Sequence, residues 1–298
     1  MTRVRDILAK LIPPQKADLM YGAYEIIGDL IVTKVPPELD EYELEIGEAL
    51  HRAHPKVKGV FRAVGETQEI ERNRQLRLLW SEPQGTRGEN RSPPINMGHT
   101  VYKEHGCRFI VDIEKVFFTS RLSYERMRIA KQVKPGEVVA NMFGGVGTYS
   151  IIIARICPRV GRVYTIDVNP FANELAKENA IINKCSWTVI PILGDAKTVC
   201  SEQLRDSCTR IIMPLPEGAH AFLGSAVIAM RKESECMINF YGEISGRNVE
   251  NEVQKVIAQT RDIIMTYGAK YCETINWRIV REVGPRRYHI AIDFKTAK

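Results

Sequence analysis

The stretch 138–151, V-V-A-N-M-F-G-G-V-G-T-Y-S-I, constrains this chain more than any other. A short apolar run ends at Asn141. Glycines follow at Gly144, Gly145 and Gly147, and a second apolar run starts at Tyr149. The pattern predicts a buried strand, a tight turn and the start of a helix. Glycine suits such a turn because it adopts backbone angles closed to other residues and lets a ligand approach the main chain. The spacing G-G-x-G excludes the dinucleotide fingerprint G-x-G-x-x-G, and the absence of a following G-K-[ST] excludes a P-loop.

The two runs that follow narrow the ligand. Residues 162–166 form an apolar run ending in Asp167, about 20 residues beyond the glycines, where doubly wound folds place an acid against a ribose hydroxyl. Residues 189–193 end in Gly194-Asp195-Ala196, so that a second acid can meet an adenine amino group. Three successive strand ends of this kind suit an adenosyl ligand without a pyrophosphate, and S-adenosylmethionine is the candidate. The bland alternative is an ordinary strand–turn–helix with two aspartates capping helices.

Length and composition set the frame. A chain of 298 residues with 44% hydrophobic content suits one large or two modest globular domains. The sequence lacks an apolar run long enough to span a membrane and a signal-peptide pattern at its start. Seven scattered cysteines without a C-x-x-C pair argue against a disulfide framework or a zinc site and for reduced thiols. The expectation is a cytoplasmic, monomeric protein without a metal. A net charge of +6 is compatible with a polyanionic partner.

Periodicity predicts a small α+β domain over 1–110 and a doubly wound α/β domain over 111–298. The first holds a hairpin around Gly28-Asp29, a helix over 39–54, and strands over 57–64 and on either side of Gly106. A Gly/Pro-rich loop spans 84–98. In the second, a helix over 123–132, capped by Ser120 or Ser123, precedes strands at 138–142, 162–166, 189–193, 210–213 and 237–241. Helices are expected at 149–157, 169–183, 219–230 and 248–267. Strands over 274–283 and 288–294 close the chain as an antiparallel edge. This is the seven-stranded, Rossmann-like sheet of class I methyltransferases. In such sheets ligands bind beyond the carboxyl ends of the strands, so the reaction site falls on I-I-M-P-L-P-E-G-A-H after the fourth strand.

The sequence resembles the archaeal and eukaryotic family of tRNA (guanine-37, N1) methyltransferases, which overlaps the wyosine-pathway aminocarboxypropyl transferases. The resemblance covers 24–294 and rests on an ordered set: H-G-C-R-F-I-V-D-I (105–113), K-V-F-F-T-S-R-L-S-Y-E-R-M-R-I-A (115–130), F-G-G-V-G (143–147), I-D-V-N-P (166–170), P-I-L-G-D-A (191–196), R-I-I-M-P-L-P (210–216) and Y-H-I-A-I-D (288–293). It implies methyl transfer from S-adenosylmethionine to N1 of guanosine 37 in tRNA. That reaction removes the N1 proton and builds negative charge toward O6, so it needs a carboxylate base and a cation. The resemblance names Glu125 as base and Arg77 as cation, Arg126 against the cofactor, Asp167 on the ribose and Asp195 on the adenine. Phe143, Gly145, Gly147, Val168, Ala196 and Pro216 complete the implied cofactor site. Read without the family, Glu125 is a helix-surface acid paired with Arg128 or Arg121. Arg72, Arg74, Arg87, Arg91, Arg286 and Arg287 are the expected phosphate contacts.

Three positions depart from the family. Asn141 stands where it usually has Asp, and Gly144 where it usually has Ala. Pro214, at the expected catalytic position after the fourth strand, stands where it has Asn. Proline offers no side-chain amide and no backbone donor, so the Asn contribution is either absent or supplied elsewhere, with the Met213 carbonyl and Glu217 as the candidates. The first half of the family's tRNA-elbow-reading domain is also expected to be missing. Three other readings stay open: aminocarboxypropyl transfer to a wyosine precursor, methylation of a wyosine intermediate, and a non-catalytic tRNA-binding relative.

Overall fold

The computed structural model describes residues 2–20, 24–65, 75–81 and 97–298. The chain divides into two compact units, Met1–Arg121 and Leu122–Lys298.

In the first unit, helices α1 (Thr2–Leu8) and α2 (Pro14–Ala17) precede strands β1 (Tyr24–Ile27) and β2 (Leu30–Thr33). Helix α3 (Glu43–Ala53) then leads to β3 (Gly59–Val64) and β4 (Gln75–Ser81). The four strands form one sheet in chain order, with β2 and β3 parallel and the outer pairs antiparallel. Leu8, Ile31, Leu39, Ile46, Leu50 and Val60 are buried together as its core. A separate hairpin, β5 (His99–Glu104) and β6 (Cys107–Asp112), turns at His105-Gly106. Thr100 of β5 donates to Asp29 and accepts from its backbone N–H, which ties the hairpin to the β1–β2 turn. The boundary expected at 110 therefore falls inside β6, and the division lies at Arg121 instead.

The second unit opens with α4 (Ser123–Gln132) and continues β7 (Val138–Asn141), α5 (Thr148–Ile156), β8 (Arg162–Asp167), α6 (Pro170–Ile182), β9 (Val189–Leu193), α7 (Ala196–Glu202), β10 (Arg210–Met213), α8 (Leu223–Ala229), β11 (Glu235–Ser245), α9 (Val249–Thr266), β12 (Tyr271–Gly284) and β13 (Arg287–Ala297). Its seven-stranded sheet has the order β12-β13-β11-β10-β7-β8-β9. Strands β7 to β11 run parallel, and β13 lies antiparallel between β11 and β12. The expected doubly wound sheet with an antiparallel edge is thus present. Strand order reverses between β7 and β10, which opens the crevice where such sheets bind ligands.

Alternation along the strands gives the sheet two unlike faces. Ile211, Met213, Ile238, Phe240, Ile290, Ile292 and Phe294 join Val199, Val227, Val253, Ile257 and Ile264 of α7, α8 and α9 in an apolar core. Arg210, Asn239 and Asp293, on adjacent strands, turn to the other face and bond to α4. The α4 N-cap is Leu122 without a side-chain bond, in place of the expected Ser120 or Ser123. A 3-10 turn, Ser120–Leu122, leads directly into it, and Ser120 binds Glu25 instead. All seven cysteines are free thiols. Burial pushes those of Cys200 and Cys208 up to about 12, which keeps them protonated.

Candidate active site

The glycine turn is built as its sequence requires. Gly147 sits at φ 87° at the N-cap of α5, and its N–H donates to the Gly144 carbonyl at 3.0 Å. Gly144 is the more demanding position. A Cβ there would lie 2.3 Å from Cγ2 of Thr165 in β8. The departure from the family's alanine is therefore matched by a threonine methyl that fills the same space. Gly144→Ala is expected to weaken the fold by about 1–3 kcal/mol through overpacking. Adding Thr165→Ser removes the methyl and should recover most of that loss. Denaturant unfolding of the two single variants and the double variant measures this coupling; simple additivity would contradict it.

At the carboxyl ends of β7, β8 and β9 the polar groups converge. Asn141 is fully buried; its Nδ2 donates to Ser150 Oγ at 3.2 Å, while Oδ1 has no partner among the described residues. Asp167 accepts from the Gly145 N–H at 2.7 Å and the Asn169 N–H at 2.9 Å. Burial nevertheless raises its pKa above the ordinary carboxylate value, the backbone bonds offsetting part of the effect. Helix α6 is capped by Asn169, so Asp167 is no helix cap. Asp195 does cap α7: its Oδ1 accepts from the N–H groups of Lys197 and Thr198. Oδ2 of Asp195 is left without a hydrogen-bond partner among the described residues. Val168 is partly exposed beside Asp167, and Ala196 is buried beside Asp195. Phe143 meets Phe222 edge-to-face with ring centroids 4.9 Å apart. An orphaned buried acceptor, a side-chain-free turn and two carboxylates with spare lone pairs fit an adenosyl group carrying a cationic tail.

Glu125 lies on α4 and is 2% exposed. It is paired with Arg128, as the bland reading had it, but deep in the protein rather than on its surface. Arg128 Nε lies 3.0 and 2.9 Å from the two carboxylate oxygens, and Nη2 donates to Oε1 at 2.7 Å. The same guanidinium donates to both oxygens of Asp293. Tyr241 of β11 donates to Glu125 Oε1 at 2.7 Å, and Tyr149 of α5 donates to the Tyr241 hydroxyl at 3.2 Å. Burial, reinforced by the nearby carboxylate, raises the pKa of both phenols, so they stay protonated and serve as donors. A continuous hydrogen-bond chain therefore joins Glu125 to the first turn of the helix that follows the glycines. Sequence reasoning missed Tyr241 and Tyr149, because neither differs from an ordinary core aromatic until the fold brings α5 and β11 together and sets their hydroxyls side by side.

Behind Glu125 the network extends through the sheet. Asn239 and Asp293 are cross-strand partners, and Asn239 Nδ2 donates to Asp293 Oδ1 at 2.7 Å. Arg210, also buried, binds Glu137, Gln132 and Asn239. Every charged group in this row has an opposite partner, which the interior requires.

The remaining site residues lie as follows. Arg126 is buried on α4, its charge close to Tyr149. Arg77 belongs to the first unit, on β4, where Nη1 donates to both oxygens of Glu43 at 3.0 and 3.2 Å. Pro214 and Pro216 follow β10, half-buried, and the Met213 carbonyl already accepts from the Leu215 N–H at 2.8 Å. Glu217 is exposed and comes within 4.8 Å of Glu243 and His289. Arg287 donates to Glu243 and Arg281 to His289, so cations already meet that cluster. Arg286 occupies the β12–β13 turn at φ 59°. Arg72, Arg74, Arg87 and Arg91 lie outside the described residues.

The sheet order, the G-G-x-G turn and the acids at successive strand ends define a class I methyltransferase domain that uses S-adenosylmethionine. The profile of the TRM5/TYW2 methyltransferase domain matches residues 100–266, and that of the TYW2 N-terminal domain matches 4–85. The chain belongs to the TRM5/TYW2 methyltransferase family. It is 32% identical over 291 residues to the tRNA (guanine(37)-N(1))-methyltransferase Trm5b of Pyrococcus abyssi, covering 96% of this chain and 78% of that one. It is 37% identical over 272 residues to the tRNA 4-demethylwyosine(37)-methyltransferase Taw21 of Saccharolobus solfataricus, covering 91% and 92%. The solved complex of aTrm5 and tRNALeu superposes with a TM-score of 0.78 at 34% identity, covering 98% of this chain and 77% of that one. No helix among the described residues is long and apolar enough to cross a membrane.

Proposed function

We propose that this protein transfers the methyl group of S-adenosylmethionine to N1 of guanosine 37 in tRNA, with Glu125 as general base. The observation that carries this reading is the buried Glu125 carboxylate, held in one orientation by Arg128 and Tyr241 and joined through Tyr149 to the first turn of the helix that follows the glycines. Asp167 takes the ribose hydroxyls, Asp195 the adenine amino group, and the orphaned Asn141 Oδ1 accepts from the ammonium of the methionine end. Phe143, Gly145, Gly147, Val168, Ala196, Pro216 and Arg126 surround them. Bound S-adenosylmethionine supplies an electrophilic methyl group on sulfur. Glu125 removes the N1 proton, and a cation meets the charge that grows at O6; the family resemblance gives that place to Arg77. Arg286 and Arg287 face the tRNA phosphates, contacts that make binding salt-dependent without selecting sequence. The target base leaves its stack to enter the site, as for other base-modifying enzymes. The names of the Pyrococcus relative and of the tRNALeu complex support tRNA as the substrate.

A second reading is methylation of 4-demethylwyosine at the same position. Pro214 favours it, since a base with a different edge need not use the Asn that the family resemblance implies at that position. The Saccharolobus relative of nearly matching length bears that activity in its name. S-adenosylmethionine labelled separately in the methyl and aminocarboxypropyl carbons, offered with transcripts carrying G or A at position 37, tests the proposal. Methyl label on the guanosine transcript alone is the expected result. Label from the aminocarboxypropyl group, or methyl transfer only to a tricyclic precursor, would overturn it.

A further inference from the structure

At the amino ends of β7, β8 and β9, the end of the sheet away from the cofactor crevice, three loops lie side by side. The Gly136 N–H donates to the Arg159 carbonyl and the Gly161 N–H to the Glu137 carbonyl, each at 2.8 Å, which joins the α4–β7 and α5–β8 loops. The Val163 N–H donates to the Thr188 carbonyl at 2.9 Å, which adds the α6–β9 loop. Lys134, Arg159, Arg162 and Lys184, on or beside these loops, are exposed, and none has an ion-pair partner among the described residues. Glu137, the sole acid on the three loops, turns inward to Arg210. Trp187, on the third loop, is 91% exposed, more than any other large apolar side chain among the described residues.

The fold itself explains part of this surface. Cations in the last turn of a helix offset its dipole, which accounts for Lys131 on α4 and Arg155 on α5. It does not account for Arg159 or Arg162, which lie beyond the helices. Lys184 follows the α6 C-cap at φ 57°, a left-handed position that glycine ordinarily fills, and the chain keeps a long cation there instead. Trp187 buries almost nothing, so its indole adds nothing to the core. Unpaired cations attract phosphates, and a free aromatic face is what an unpaired base stacks on. We propose that this end of the methyltransferase domain is a second RNA-binding surface. It takes an unpaired RNA segment, one base stacked on Trp187 and the flanking phosphates met by Lys134, Arg159, Arg162 and Lys184. A duplex would offer the phosphates without a free base face, and an acidic protein would leave Trp187 unused. Five residue steps of about 3.3 Å put Arg162 roughly 17 Å along β8 from Asp167. The RNA held here is therefore not the base being methylated, and the inference stands apart from the methyl-transfer reading.

Fluorescence anisotropy of labelled octa-adenylate with the whole chain tests this, because the octamer has unpaired bases and no guanosine to methylate. Wild type is expected to bind it, with log K falling as log salt rises. Arg159→Gln combined with Arg162→Gln reduces that slope by about 1.4, at about 0.7 per phosphate on a single strand. Trp187→Ala weakens binding about 10-fold, the scale of one lost base stack, and leaves the slope unchanged. Trp187→Phe keeps most of the affinity. An octamer of abasic ribose phosphates binds wild type about 10-fold less tightly than octa-adenylate does, and binds Trp187→Ala no worse than wild type. All these side chains are exposed, so the melting temperature stays the same, as does single-turnover methyl transfer at saturating tRNA. No binding of octa-adenylate, or an affinity indifferent to these variants, would overturn the inference. So would an abasic octamer that binds wild type as tightly as octa-adenylate, or an octaglutamate peptide that binds more tightly, which would mark an acidic protein partner. A wild type that binds octa-adenylate through Trp187 and methylates no tRNA would overturn the methyl-transfer reading alone.

Discussion

Glu125→Gln is expected to lower the single-turnover methyl-transfer rate by on the order of 10²- to 10⁴-fold, the usual contribution of a positioned general base. The change removes one basic oxygen and preserves shape. Glutamine still accepts from Tyr241 and Arg128 through its carbonyl, so the fold and the cofactor site persist. S-adenosylmethionine bound at equilibrium should show the same affinity in both proteins, because the hydrogen bonds that lead from Glu125 toward the first turn of α5 pass through Tyr241 and Tyr149, and glutamine keeps the first of them. A rate within a few-fold of wild type would remove Glu125 from the base role and leave it a structural partner of Arg128.

The largest stability effect is expected at Arg128→Met. This substitution leaves Asp293, whose side chain is 3% exposed, without a cation among the described residues, and leaves Glu125, 2% exposed, only the longer pair with Arg278 at 3.6 Å. Breaking a buried ion pair from one side costs about 3–5 kcal/mol, which for a unit of this size lowers the melting temperature by roughly 10 °C. The loss depends on pH in a defined direction. Asp293 titrates below the ordinary value of 3.8 because the Arg128, Asn239 and Gln132 donors outweigh its desolvation. The folded state therefore binds fewer protons than the unfolded one. The stabilisation from Asp293 is complete above pH 3.8 and fades as the pH falls through the lower folded-state value. In the variant, burial without Arg128 pushes Asp293 the other way, so the gap between the proteins should narrow as the pH falls. Thermal unfolding at pH 7 and pH 3 measures both, and an equal gap at the two would contradict the network.

The fold and the cofactor side of the site were legible because their signals are local. The glycine turn, Asp167 and Asp195 each sit at the end of an apolar run, and the parallel strands appeared within a few residues of their expected ends. Helix α7 did not stand out: A-K-T-V-C-S-E spans only seven residues and two turns, too short for a periodicity to emerge. Asp195 was expected to meet a ligand, yet it also caps that helix. The helix expected over 219–230 begins as a 3-10 turn, Ala219–Phe222, after Gly218 at φ 93°.

What the sequence could not display was the polar row behind Glu125. Arg128 and Asp293 lie 165 positions apart and Asn239 and Asp293 54, and each on its own looks like a surface charge or a strand polar residue. Only the order β13-β11-β10 puts Asp293, Asn239 and Arg210 on one face under α4. The surface-pair reading of Glu125 was right about its partner and wrong about its burial for the same reason. At Gly144 the explanation of a family departure lay in Thr165, a residue of another strand.

The account turns on which atom of which base receives the methyl group. A tRNA transcript with guanosine 37, reacted with the purified protein and S-adenosylmethionine, digested to nucleosides and resolved by chromatography and mass, answers that directly. The account predicts 1-methylguanosine, lost when position 37 is changed to adenosine. An unmodified guanosine transcript, beside a tricyclic-precursor tRNA that does gain a methyl group, would contradict it.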